Sequence, residues 1–195
     1  MDGAGRPGGR VIGAIPSLRT RAMKQPLVSE ISRRRKLRLL ARHLRPGASV
    51  LEVGAGSGWF SQRLREMGHH VTTLDLHPPA DIVGDIARWE TLELRPDSFD
   101  VVVALELIEH VDCLAALRSL CKVDGLILLS SPHPDWDWVM KILESLHLTQ
   151  RRTSPHSHLT DFSRIRMEPV VRRRPMFIHQ VAIFRNRDLS VDRPV

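Results

Sequence analysis

The sequence predicts a doubly wound, parallel α/β sheet. Strand-like and helical segments alternate along most of the 195 residues, the strands are near-continuous apolar runs, and a glycine cluster separates the first strand from the next helix. Unbroken apolar strands suit a sheet covered on both faces by helices. The length allows one well-buried domain and is short for two.

The first 26 residues, MDGAGRPGGRVIGAIPSLRTRAMKQP, are Arg-rich and punctuated by Gly and Pro, with Asp2 the only acid. They lack the apolar core of a secretory signal and read as a disordered basic extension, with an organellar transit peptide as the alternative. Residues 27–195 read as a single domain. LVSEISRRRKLRLLARHLRPG places Ile31, Leu37, Leu40 and Leu44 along one face of a basic helix over 27–45, with a cap at Ser29 and a stop at Pro46-Gly47.

A core over 48–135 follows. SVLEVGA (49–55) is a buried strand, GWFSQRLREMG a helix ending at Gly68, HVTTLDL (70–76) a second strand and ADIVGDI (80–86) a short third. FDVVVALEL (99–107) is the strongest strand; IEHVDCLAALRSLCKV (108–123) reads as a helix and GLILLSSP (125–132) as another strand. Residues 136–195 form the far side: a helix over DWDWVMKILESLHL (135–148), the polar loop RRTSPHSH, and strands near 168–174 and 177–185. Cys113 and Cys121, eight residues apart in one predicted helix, would lie roughly 12 Å from each other, too far for a disulfide. That fits a reducing, cytoplasmic setting. No run reaches the roughly 18 apolar residues of a membrane span.

Charge is unevenly placed. Residues 1–46 carry 12 Lys/Arg and 2 acids, residues 47–150 carry 7 and 16, and residues 151–195 carry 10 and 4. The acidic centre could hold a cation, and the basic flanks could meet an anionic substrate, nucleic acid or a membrane surface, or simply be solvated.

The glycine cluster carries chemistry. A phosphate-binding G-x-x-x-x-G-K-[ST] loop fails, because Trp59 stands where the second glycine belongs and no lysine follows. G-x-G-x-x-G fails at the same position. The residues instead read E-x-G-x-G-x-G from Glu52 through Gly54, Gly56 and Gly58, a tight turn open to close approach by a ligand. Asp75, ending the next strand 19 residues past Gly56, sits where such folds accept ribose hydroxyls. Asp85 ends the third strand, where an adenine amino group could be met. Together these describe a nucleoside site without phosphate-gripping residues.

In VLEVGAGSG (50–58), TLDLHP (73–78), DIVGDI (81–86), FDVVVALELIEHV (99–111) and LILLSSPHP (126–134), in that order, the chain resembles the class I S-adenosylmethionine-dependent methyltransferases. The likeness continues weakly through HLTDFS (158–163). It implies a mostly parallel seven-stranded Rossmann-like sheet with an antiparallel last strand. It also implies a cofactor site: Gly54, Gly56 and Gly58 at the amino-acid end of S-adenosylmethionine, Asp75 on the ribose, His77 near the adenine, Asp85 facing its amino group, with Glu52 and Leu105 completing the set. The family commonly has Pro-Gly-Gly before the fifth strand; this chain has KVDG (122–125), a change of loop geometry.

ALELIEHV places Glu106, Glu109 and His110 at i, i+3 and i+4, one face if the chain is helical from 106. Two carboxylates and an imidazole begin a divalent site suited to Mg²⁺ or Mn²⁺. E-x-x-E-H at this junction is similar to ubiquinone-biosynthesis O-methyltransferases and to small-RNA 3′-end 2′-O-methyltransferases. That likeness implies a metal held by Glu106, Glu109, His110 and a later histidine, here His158, with His156 as the fallback. Without a metal, Glu109 and His110 would act beside the acceptor, with His110 or His158 as general base. Helix capping alone also accounts for acids at this position.

SPHPDWDWVM gathers His133, Trp136, Trp138 and Met140 after a strand end, where an acceptor would lie, and Arg151 and Arg152 could steer an anion. The reading is methyl transfer to an oxygen of a small molecule. RNA 2′-O-methylation is one alternative, although 5% aromatic content without tyrosine is lean for base stacking. A catalytically silent, methyltransferase-like binding protein is the other.

Overall fold

Valine-rich segments build the middle of the sheet. The computed structural model describes residues 27–132, 161–173 and 179–188. Among these, α1 (Leu27–Ala41) precedes β1 (Ser49–Val53), α2 (Trp59–Glu66), β2 (His70–Asp75), β3 (Ile82–Val83) and a kinked 3₁₀ segment (Ile86–Thr91). Then come β4 (Phe99–Leu105), α3 (Leu114–Leu120), β5 (Cys121–Pro132), a 3₁₀ turn (Phe162–Arg164), β6 (Met167–Arg173) and β7 (His179–Asp188). The seven strands run in the order β3-β2-β1-β4-β5-β7-β6. All neighbours pair in parallel except β7, which is antiparallel to both β5 and β6.

Side chains alternate across the strands and make two cores, one on each face. Leu51, Val53, Val102, Ala104, Ile127 and Leu129 pack with Leu117 and Leu120 of α3. Val50, Val101, Val103 and Leu128 pack with Leu40 of α1 and with Phe60 and Leu64 of α2. Each fully buried leucine of this kind stabilises by about 2 kcal/mol relative to an exposed one. Both faces are covered, which is why the strands read as unbroken apolar runs.

Several expected boundaries move. Helix α1 already includes residue 29, so Ser29 is not its cap, and it ends at Ala41. Ile31 is 53% exposed while Leu40 is fully buried, so the inward face excludes Ile31. The helix expected over 108–123 shrinks to α3, because residues 106–113 form turns and Cys121 opens β5. The cysteines therefore do not share a helix; Cys113 precedes α3, and both are free and buried. Strand β5 starts four residues before Gly125 and carries an irregularity: Phe99 pairs with Cys121, then Val101 with Leu126. In that irregularity a side chain on Gly125 would stand 2.8 Å from the Lys122 carbonyl oxygen and 2.9 Å from that of Asp100. Only glycine fits this irregularity within KVDG. The helix expected over 135–148, RRTSPHSH, His133, Trp136, Trp138, Met140 and the basic extension lie outside the described residues.

Candidate functional site

The carboxyl ends of β1, β2, β3 and β4 meet around the glycine loop. Gly54, Gly56 and Gly58 adopt φ of 73°, 52° and 69°, a left-handed backbone that side-chain-bearing residues resist. The turn brings the chain from β1 into α2. A side chain on Gly56 would meet nothing within 4 Å, so the loop borders open space there, whereas one on Gly54 would touch Leu107 at 3.4 Å.

Asp75 closes the loop from the neighbouring strand. Its Oδ2 accepts from Gly56 N at 2.9 Å and its Oδ1 from His77 N at 3.0 Å. Each oxygen keeps a lone pair for another donor. The Asp85 carboxylate accepts from Ala87 N at 2.9 Å, capping the 3₁₀ segment. Gly84 N donates to Asp75 O at 2.9 Å, which holds the Asp75 and Asp85 strand ends side by side. His77 is exposed. So is Leu76, at 62%, an apolar surface at the loop mouth that the motif reading passed over.

Two of the expected residues lie deeper. Leu105 packs into the core under α1 and α2. Glu52 is 4% exposed beneath the loop, and its Oε2 has no hydrogen-bond partner. Burial pushes its carboxyl up to about 7, against opposing hydrogen bonds from Ser61 and the charges of Arg65 and Arg33.

After β4 the chain does not turn helical. Glu106 sits at φ 53°, followed by turns, so Glu106, Glu109 and His110 do not line one helical face. Glu106 Oε1 takes the ammonium of Lys36 at 2.5 Å and the Ser130 hydroxyl at 2.7 Å, and the Lys36 ammonium also donates to Ser130 Oγ at 2.9 Å. His179 Nδ1 lies 3.5 Å from Glu106 Oε2 on the other side of the carboxylate. Burial would raise the Glu106 carboxyl, but Lys36 and His179 overcome it and hold the group well below the carboxylate range. Glu109 behaves oppositely. It is 1% exposed, its Oε2 lacks a partner, and burial together with the Glu106 charge pushes it up to about 7. His110 is exposed in the turn.

Among the described residues no three His, Cys, Asp or Glu side chains gather as a metal site. His156 and His158 lie outside them. Lys36, Ser130 and His179 escaped the sequence reading. The one usable signal was that Lys36 precedes the buried Leu40 by four residues, hence lies on the same helical face. Lys36 is 6% exposed.

Solved structures share this architecture. A Pyrococcus horikoshii protein aligns with a TM-score of 0.59 at 15% identity, covering 80% of this chain and 91% of its own. The 1,6-didemethyltoxoflavin-N1-methyltransferase of Burkholderia thailandensis, solved with S-adenosylhomocysteine, aligns at 0.57 and 20% identity, covering 83% and 80%. The magnesium protoporphyrin IX methyltransferase of Synechocystis, also with bound S-adenosylhomocysteine, aligns at 0.57 and 16%, covering 80% and 83%. In sequence, a ubiquinone biosynthesis O-methyltransferase of Xanthomonas campestris is 38% identical over 112 residues, 47% of this chain and 46% of that protein. One from Xylella fastidiosa is 34% identical over 89 residues, 38% and 36% of the respective chains. The match thus spans less than half of those relatives' length. The profile of the methyltransferase domain matches residues 23–167, well over half of the chain. With that match and the sheet order above, the chain belongs to the methyltransferase-domain family and has the fold of the class I S-adenosylmethionine-dependent methyltransferases.

Proposed function

We propose that this chain transfers a methyl group from S-adenosylmethionine to an oxygen of a small molecule. The observation that carries the reading is the Asp75 carboxylate bonded across to Gly56 N at the mouth of an open, side-chain-free loop. The donor and acceptor set fits the cofactor. Backbone N–H groups at the loop and the start of α2 suit a carboxylate, Asp75 has acceptor capacity for a ribose diol, Asp85 lies at the adjoining strand end, and no lysine is present to grip phosphate. The bound cofactor supplies an electrophilic methyl on a sulfonium. The protein must hold the acceptor oxygen in line and take its proton. His110, exposed, and Glu109, with its carboxyl near 7, are the proton-holding groups in the turn after β4. Oxygen as the acceptor atom rests on the likeness to the Xanthomonas and Xylella O-methyltransferases.

A divalent ion at Glu106 would have to compete with the Lys36 ammonium and the Ser130 hydroxyl, which already hold its Oε1. RNA as acceptor has one observation in its favour, the exposed Arg34, Arg35 and Arg38 on α1 with Arg42 in the turn that follows.

Calorimetric titration of S-adenosylhomocysteine into the purified chain tests the reading. Micromolar binding is expected, and Asp75→Ala should weaken it by roughly 100-fold, the loss of two hydrogen bonds to a charged group. Absence of binding to folded wild type overturns it. Binding followed by no turnover of any hydroxylated small-molecule acceptor favours the silent binding protein. Steeply salt-dependent RNA binding favours RNA.

A further inference from the structure

The mechanism leaves one buried cation unused. Lys36 lies on α1, in a helix whose neighbouring basic residues Arg34, Arg35 and Arg38 are exposed. Its own side chain is turned in and 6% exposed, which is costly for an ammonium unless it is paired. The pairing joins distant parts of the chain: Lys36 reaches Glu106, 70 residues on, and Ser130, 94 residues on. Glu106 N also donates to Ser130 O at 2.9 Å, and Glu106 holds a left-handed backbone that is unfavourable for glutamate.

The next residue transmits the restraint. Leu107 stands 3.4 Å from the position a Gly54 side chain would take, so it backs the glycine loop. Leu107 O accepts from His110 N at 2.9 Å and from Val111 N at 3.3 Å, which closes the turn bearing Glu109 and His110. The connection runs from Lys36 to Glu106, Leu107 and Gly54.

We propose that Lys36 is a positioning residue: its ammonium pins Glu106, and through it sets the turn that carries Glu109 and His110 and supports the cofactor loop at Gly54. In catalytic terms this rests on the methyltransferase reading above, but the restraint itself is a property of the unliganded chain. The ammonium holds the strained backbone by its charge, and a neutral side chain of equal length cannot.

Hydrogen exchange on the full, unliganded chain tests it, comparing wild type with Lys36→Met and with the charge-balanced pair Lys36→Met/Glu106→Gln. Both variants should exchange roughly tenfold faster at 54–58 and 105–111, with 70–75 unchanged, as a local opening does. S-adenosylhomocysteine should bind the variants roughly tenfold more weakly, a readout that lost stability alone does not move in folded protein. The pair recovers stability lost by stranding Glu106 while keeping the loosened loop, so it decides the matter if Lys36→Met does not fold. Unchanged exchange at 54–58 in the pair, or faster exchange spread evenly over the chain, overturns the proposal. If wild type binds no S-adenosylhomocysteine, the methyl-transfer reading fails and the exchange pattern still judges Lys36.

Discussion

Glu109 and Glu106 are three residues apart, yet their carboxyls are displaced in opposite directions. Lys36 pairs directly with Glu106, whereas Glu109 feels it only as the weakest of several influences, and burial with the Glu106 charge prevails there. This division keeps one carboxylate permanently ionised and leaves the other able to exchange a proton near neutrality. Protonated Glu109 cannot accept a proton, so if the proposed methyl transfer uses it as base, turnover should fall as the pH drops below about 7. Glu109→Gln should lower turnover and flatten that limb; an unaltered limb would assign the titration elsewhere. None of this was legible in E-x-x-E-H. The letters sit at helical spacing, and only the left-handed backbone at Glu106 reveals that the helix does not start there. Lys36 was hidden for a related reason, since within RRRKLR it has the composition of a solvated face.

At the scale of elements, the sequence was informative wherever a strand is covered on both sides. FDVVVALEL and GLILLSSP announce β4 and β5 by their unbroken apolar runs, and the glycine loop announces itself by spacing. The boundaries that moved are those set by the turns at 106–113 and the strand irregularity at 121–125, where single backbone conformations decide. The β1–α2 loop offers a sharp test. Gly56 faces open space, so Gly56→Ala meets no protein atom and adds only left-handed strain of about 1 kcal/mol. If that space belongs to the cofactor, S-adenosylhomocysteine affinity should fall well beyond what this strain explains, with only a small change in Tm. Titration calorimetry beside thermal melts separates the two, and a loss of Tm with unchanged affinity would place the cofactor elsewhere.

Across the whole molecule, two buried carboxyls, Glu52 and Glu109, bind their protons more tightly in the folded chain than in the unfolded one. Their contribution is therefore fully present below the ordinary carboxylate pKa of 4.5 and is lost as the pH rises through about 7. Glu52 alone should cost about 3 kcal/mol across that window. Urea unfolding of wild type should show falling stability between pH 5 and pH 8, and Glu52→Gln should remove much of the fall. A variant with the same slope as wild type would show that Glu52 is not the source. Among the described residues no helix is long and apolar enough to cross a membrane.

The sheet order bears on how this chain is made. Strand β6 pairs with nothing but β7 in the described sheet, and β7 sits between β5 and β6. A ribosome that has delivered everything up to residue 178 has therefore produced a sheet whose β5 edge is bare and whose β6 has no seat. Assembly cannot proceed strictly from the front of the chain to the back, because the strand that joins these two parts arrives after both. During that interval the nascent chain displays a row of unpaired backbone N–H and C=O groups along β5, the kind of edge on which growing chains stick to one another or are held by chaperones until the missing strand emerges.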